Sequence, residues 1–201
     1  MKIKRFTDTT KNKITALLVD NYYLWKAYLG ADNACKLDKV SVFDPSSIYF
    51  NLDITATKII KISNLGSYIY TLFDDSDYLF ARISKSNPIG SKTYITIPTG
   101  IIETPVDMDV DATNNYVYIL FPGNESGTCS KILQYNNSLS LVSTIDLDQS
   151  VGDVNNAKSI AVDSNGYLWV VTYEDPSRLI KVNPSDGSYN IWYITDESGY
   201  N

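Results

Sequence analysis

One element recurs four times along this chain, and few folds accommodate it. The segments are Tyr23–Tyr28 (YLWKAY), Tyr68–Phe73 (YIYTLF), Tyr116–Phe121 (YVYILF) and Tyr167–Thr172 (YLWVVT), each with aromatics at its first and third positions. Their second residues serve as anchors. Leu24 to Ile69 is 45 residues, Ile69 to Val117 is 48, and Val117 to Leu168 is 51. A near-constant period across a whole chain marks a repeat architecture in which each unit buries a face against its neighbour.

Each anchor segment is preceded by a short apolar run and a turn. The runs are 14–19, 59–62, 106–110 and 159–162. The turns, Asp20-Asn21, Ser63 to Gly66, Asp111 to Asn115 and Asp163 to Gly166, are rich in residues that tolerate positive φ. A third strand follows each anchor, at 39–43, 78–83, 131–135 and 179–182. After a further turn comes a fourth, at 48–52, 93–97, 141–145 and 189–194. The alternation has period two, and no segment carries a helical period. The expected fold class is therefore all-β: a β-propeller of four four-stranded antiparallel blades, either closed or an incomplete ring of a larger propeller. The expected division is residues 1–13 as an N-terminal strand and linker, with blades at 14–54, 55–98, 99–147 and 148–201. The strand at Met1–Phe6 has no blade of its own in this count. Further blades, or another chain, are expected to supply its partners.

The fourth unit carries a family resemblance. Ser159 to Thr172 (SIAVDSNGYLWVVT), followed by Ser177 to Gly187 (SRLIKVNPSDG), resembles a blade of the NHL, gluconolactonase-like and streptogramin-lyase-like propeller group. Unit three keeps that pattern loosely, and units one and two keep only its hydrophobic rhythm. The resemblance implies the propeller fold. Its lyases use a histidine base, and this chain has no histidine. Its metal-dependent lactonases gather carboxylates and an asparagine at the central channel. Asp107, Asp109 and Asp163 are candidate carboxylates here, with Asp163 expected to bond its own turn. Metal-dependent hydrolase or lactonase chemistry is thus one alternative function. No cofactor is expected, although Ca²⁺ held by oxygens is compatible with the acidic residues.

Charge narrows the partners. With 17 Lys and Arg against 23 Asp and Glu, the net charge is −6, which disfavours nucleic acid and anionic membrane surfaces. There is no apolar run long enough to span a membrane and no secretory leader, so a virion or cytoplasmic setting is expected. Cys35 and Cys129 fall in non-adjacent units, so no disulfide is expected.

Strands alternate in direction, so the loops divide between two faces. The long, unequal 2–3 and 4–1 connections share one face. They carry Asp32, Asp38, Asp74, Asp75, Asp77, Glu103, Glu125, Asp146, Asp148, Asp153, Glu174 and Asp175. Asp74, Asp75, Asp77, Glu125, Tyr173, Glu174 and Asp175 form the candidate partner-binding set. Tyr22, Tyr173 and Tyr189 are the aromatics expected near the surface; the anchor aromatics are expected in the core. The expected function is a non-enzymatic interaction or assembly module with a protein partner, homo-oligomeric or joined by further blades. The Lys-, Asn-, Ile- and Tyr-rich composition suits a virion or phage tail structural or receptor-binding protein. A carbohydrate-binding lectin is the third alternative.

Overall fold

The computed structural model describes residues 14–30, 35–41, 43, 47–51, 58–74, 78–101, 103–123, 129–147, 154–173 and 176–194. The expected N-terminal strand lies outside them. Sixteen strands form four antiparallel sheets, each in chain order, with no helix among the described residues. Blade 1 holds β1 (Ile14–Asp20), β2 (Tyr23–Leu29), β3 (Cys35–Ser41) and β4 (Ser47–Asn51). Blade 2 holds β5 (Lys58–Leu65), β6 (Tyr68–Asp74), β7 (Tyr78–Ser84) and β8 (Lys92–Thr96). Blade 3 holds β9 (Asp107–Asp111), β10 (Tyr116–Phe121), β11 (Lys131–Asn136) and β12 (Leu141–Asp146). Blade 4 holds β13 (Ala157–Val162), β14 (Leu168–Thr172), β15 (Ser177–Val182) and β16 (Tyr189–Ile194).

The hairpin signals in the sequence have a backbone cause. Asn21, Gly66, Asn115 and Gly166, one in each 1–2 turn, have φ between +51° and +82°, where Asn and Gly are tolerated best. Gly166 is the most constrained. A Cβ there would sit 3.3 Å from both the Asn114 amide and the Asp111 carboxylate, whereas one on Gly66 would meet nothing within 4 Å. Gly166→Ala is expected to cost about 1–3 kcal/mol and Gly66→Ala to fall at the lower end of that range, as read from chemical denaturation midpoints.

Successive blades pack face to face. On β6, Ile69 and Phe73 face blade 1, while Tyr70 and Leu72 face blade 3. On β10, Val117, Ile119 and Phe121 face blade 2, while Tyr118 and Leu120 face blade 4. On β14, Leu168 and Val170 face blade 3. Three apolar clusters therefore fill the three junctions. The second strands are more buried than the fourth strands in blades 2, 3 and 4, where both are described. A second strand has neighbours on both edges, and in blades 2 and 3 on both faces, whereas a fourth strand ends the sheet.

The first strands line the inside of an arc, β1 against β5, β5 against β9 and β9 against β13. Among the described residues the series does not close, because β13 and β1 do not pack on one another in this way. At the blade 1 end, Leu17 and Val19 point away from blade 2 and are exposed, Val19 by 68%. At the blade 4 end, Trp169, Val171, Leu179 and Trp192 share the face turned away from blade 3.

Two local expectations are corrected. The third strand of blade 1 is β3 at Cys35–Ser41, not 39–43, and Asp38 lies inside it instead of in a loop. Asp38 is buried, accepting a hydrogen bond from the Tyr28 hydroxyl at 3.1 Å and pairing with Lys26 at 3.0 Å. These partners make a mid-strand carboxylate tolerable.

Burial also leaves a signature at high pH. Burial raises the phenol pKa of Tyr70, Tyr118 and Tyr135, the last to about 12. In the unfolded chain these phenols ionise near pH 10. Their contribution to stability is therefore complete below that pH and is lost as pH rises toward the folded-state values. Phenolate absorbance should show these three of the 16 tyrosines ionising late and together with unfolding. Titration of all tyrosines before unfolding contradicts the burial.

Candidate functional site

The carboxylates nearest the inner strands act as ties between blades. Asp107, buried on β9, accepts hydrogen bonds from the Lys61 ammonium of blade 2 at 2.9 Å, the Ser159 hydroxyl at 2.6 Å and the Ile160 backbone N–H of blade 4 at 3.1 Å. Its own neighbour, the Met108 N–H, supplies a fourth at 2.9 Å. Asp109 accepts from the Val162 N–H at 2.8 Å. The inner edge of β13, the one not paired with β14, thus meets carboxylates in place of another strand. Asp163 accepts from the N–H groups of Asn165 and Tyr167 and from the Trp169 indole at 3.0 Å. The indole bond is the largest cause holding its pKa below the usual carboxylate value. Among the described residues, no three His, Cys, Asp or Glu side chains converge as a metal site.

Of the candidate loop residues, Asp74 ends β6, 3.8 Å from the Lys58 ammonium, and Tyr173 is 73% exposed just after β14. Asp75, Asp77, Glu125, Glu174 and Asp175 lie outside the described residues. Asp146 pairs with Lys131 on the neighbouring strand. Tyr22 is exposed as expected, but Tyr189 packs against the core of blades 3 and 4. Cys35 and Cys129 form no disulfide with one another.

The opposite face, made by the short 1–2 and 3–4 turns, carries what sequence reading missed. A cation on the third strand sits over the aromatics opening the second strand. Lys39 lies 4.1 Å from the centre of Tyr23, Arg82 lies 4.4 Å from Tyr68 and Lys181 lies 3.9 Å from Tyr167. Lys39 also donates to the Lys85 carbonyl, and Arg82 to the Asn137 carbonyl, each in the 3–4 turn of the next blade. Blade 3 has Gln134 at this position, facing Tyr118 across the ladder as Lys39 faces Trp25 and Arg82 faces Tyr70.

The third anchor aromatics differ in the same register-dependent way. Trp25, Tyr70 and Tyr118 are each buried beneath the next blade. Trp169 occupies the same position in blade 4, where no described blade lies beyond it. It stacks on Trp192, ring centres 5.7 Å apart and 24° between planes. Trp192 is 46% exposed.

Comparison with solved structures decides what the four sheets are. Over 91% of its length the chain superposes on the WD40 repeats of RRP9, with a TM-score of 0.66 at 14% identity. Over 90% it superposes on a 6-phosphogluconolactonase-like protein from Bacteroides uniformis, with a TM-score of 0.63 at 15% identity. The sheets are β-propeller blades. The match covers 52% and 53% of those two chains, so this chain spans about half their length. The dihydro-heme d1 dehydrogenase NirN is also similar, with a TM-score of 0.61 over 89% of this chain and 37% of its own, at 10% identity. No protein-family model and no curated protein matches the sequence. The propeller expectation therefore stands at the level of fold, and nothing beyond the blade 4 motif ties the chain to the NHL-type group.

Proposed function

We propose that this chain is a non-enzymatic propeller interaction or assembly module that docks its partner on the outer face of blade 4. The observation that carries this is the Trp169–Trp192 stack, its Trp192 ring 46% exposed, with Val171 and Leu179 beside it, at a position buried beneath a further blade in all three preceding units. An apolar sheet face of this kind marks an interaction surface, and tryptophan is enriched where binding energy concentrates. The three internal junctions supply the chemistry of the occupant: a blade-type sheet presenting its own apolar face. A second copy offers one in Leu17 and Val19 of blade 1. The superposition on about half of larger propellers leaves room for an arc of equal size.

A role as a structural or receptor-binding part of a virion or phage tail is the finer form of this reading, favoured by composition. The acidic loop face around Asp74 and Tyr173 would then be a second contact surface. The hydrolase alternative finds less support, since Asp107 and Asp109 are already engaged by blade 2 and blade 4 donors. Sedimentation equilibrium tests the proposal. The wild-type mass should rise with concentration from monomer toward dimer, and Trp169→Ser combined with Trp192→Ser should hold it at monomer with the fold intact. A wild type that stays monomeric at every concentration contradicts a second copy as the occupant.

A further inference from the structure

We infer that the groove between blades 3 and 4, on the short-turn face, is a binding site for a neutral saccharide. The groove has a volume of about 560 Å³, within the range of small-molecule sites. Its floor is Gln134 and Tyr118, its outer wall Ser143, and its rims Tyr116 on one side and Asn165 and Tyr167 on the other. One departure from the repeat sets its chemistry. At junctions 1/2 and 2/3 the third-strand cation crosses to a carbonyl in the next 3–4 turn. Gln134 instead turns back, donating to the Tyr118 hydroxyl at 3.4 Å and accepting from the Ser143 hydroxyl at 2.7 Å. The carbonyl it would have reached by that equivalence, that of Pro184, belongs to a residue lining the same groove.

The result differs in chemistry from the groove between blades 1 and 2. That one, about 400 Å³, contains Lys39 and the Lys85–Asp20 ion pair at 2.9 Å. The blade 3/4 groove has no charged side chain among its lining residues and only two aliphatic ones, Val142 and Pro184. No lining side chain offers a charged ligand a counter-charge, and a peptide finds few apolar groups for an anchoring side chain. Tyrosine rings beside side-chain amides and hydroxyls suit a sugar ring. Its C–H face packs on the electron-rich aromatic face, and its hydroxyls exchange hydrogen bonds with groups that both donate and accept. Tyr167 already carries the Lys181 ammonium on its ring, which fixes that ring at the groove edge.

The test is backbone amide NMR of the intact chain with maltose, cellobiose and N,N′-diacetylchitobiose, each at about 10 mM, where millimolar affinities are read directly. At least one disaccharide should shift the Asn165, Gly166 and Ser185 signals, saturably. Gln134→Arg, which restores the bridging cation, should abolish the shift. Ser143→Val, on the solvent-side strand, is the second variant and should weaken it several-fold. No shift with any of the three, shifts that survive both variants, or shifts with glucose 6-phosphate but none with the neutral sugars would overturn the inference. The readout reports on single resonances within one chain, so it stands or falls independently of self-association.

Discussion

Asp107→Ala is expected to lower the stability of the whole chain by about 3 kcal/mol. The deletion leaves the buried Ile160 N–H without a partner and removes charge-assisted bonds from Ser159 and Lys61. An orphaned buried donor costs about 1–3 kcal/mol, and bonds to a charged group contribute about 1.5–3 kcal/mol. The Lys61 pair adds little, because that ammonium is 41% exposed and screened. Asp109→Ala removes a single bond, to the Val162 N–H, and should cost about 1–2 kcal/mol. Urea unfolding of the three proteins measures this. Equal midpoints for Asp107→Ala and wild type would mean that the carboxylate does not tie blades 2, 3 and 4 together. The comparison also bears on function: a carboxylate whose removal unfolds a junction is a structural tie, and the hydrolase alternative loses its best-placed acid.

Trp169→Ser combined with Trp192→Ser should reduce the association constant about 1000-fold, since interfacial tryptophans at hot spots each contribute about 2 kcal/mol or more. The fold should tolerate the change. Both side chains lie on a face that no described blade covers, so neither fills an internal junction. The matched control is Trp25→Ser, at the same repeat position in blade 1 but fully buried against blade 2. That substitution should unfold the junction, costing about 3–5 kcal/mol. The contrast between two tryptophans at one repeat position, one indispensable to folding and one to association, is what an open arc requires.

Much of the fold was legible because the signals are local. The aromatic-anchored segments around Leu24, Ile69, Val117 and Leu168 are the second strands, and the Asn and Gly turns before them have the positive φ that their residue types favour. The third strand of blade 1 was displaced because the charged stretch Lys36 to Asp38 reads as loop, and only the Tyr28 and Lys26 partners make that carboxylate a strand residue. The sites were less legible for a different reason. Asp107 looks like any acidic residue until the chain brings Ile160, 53 positions later, within 3.1 Å of it. The Gln134 substitution is visible only once the register equates it with Lys39, Arg82 and Lys181. The acidic loops were prominent because charge is counted without coordinates, whereas the position of Trp169 on the face turned away from blade 3 depends on which way a strand residue points.

The central claim is that the outer face of blade 4 docks a further sheet, and oxidative footprinting of the tryptophans tests it most directly. The chain has three, Trp25, Trp169 and Trp192. Trp25 should resist oxidation at every concentration. Trp169 and Trp192 should react in dilute, monomeric protein and become protected in step with the rise in mass. If the chain associates while both remain as reactive as in the monomer, the interface lies elsewhere and the claim fails.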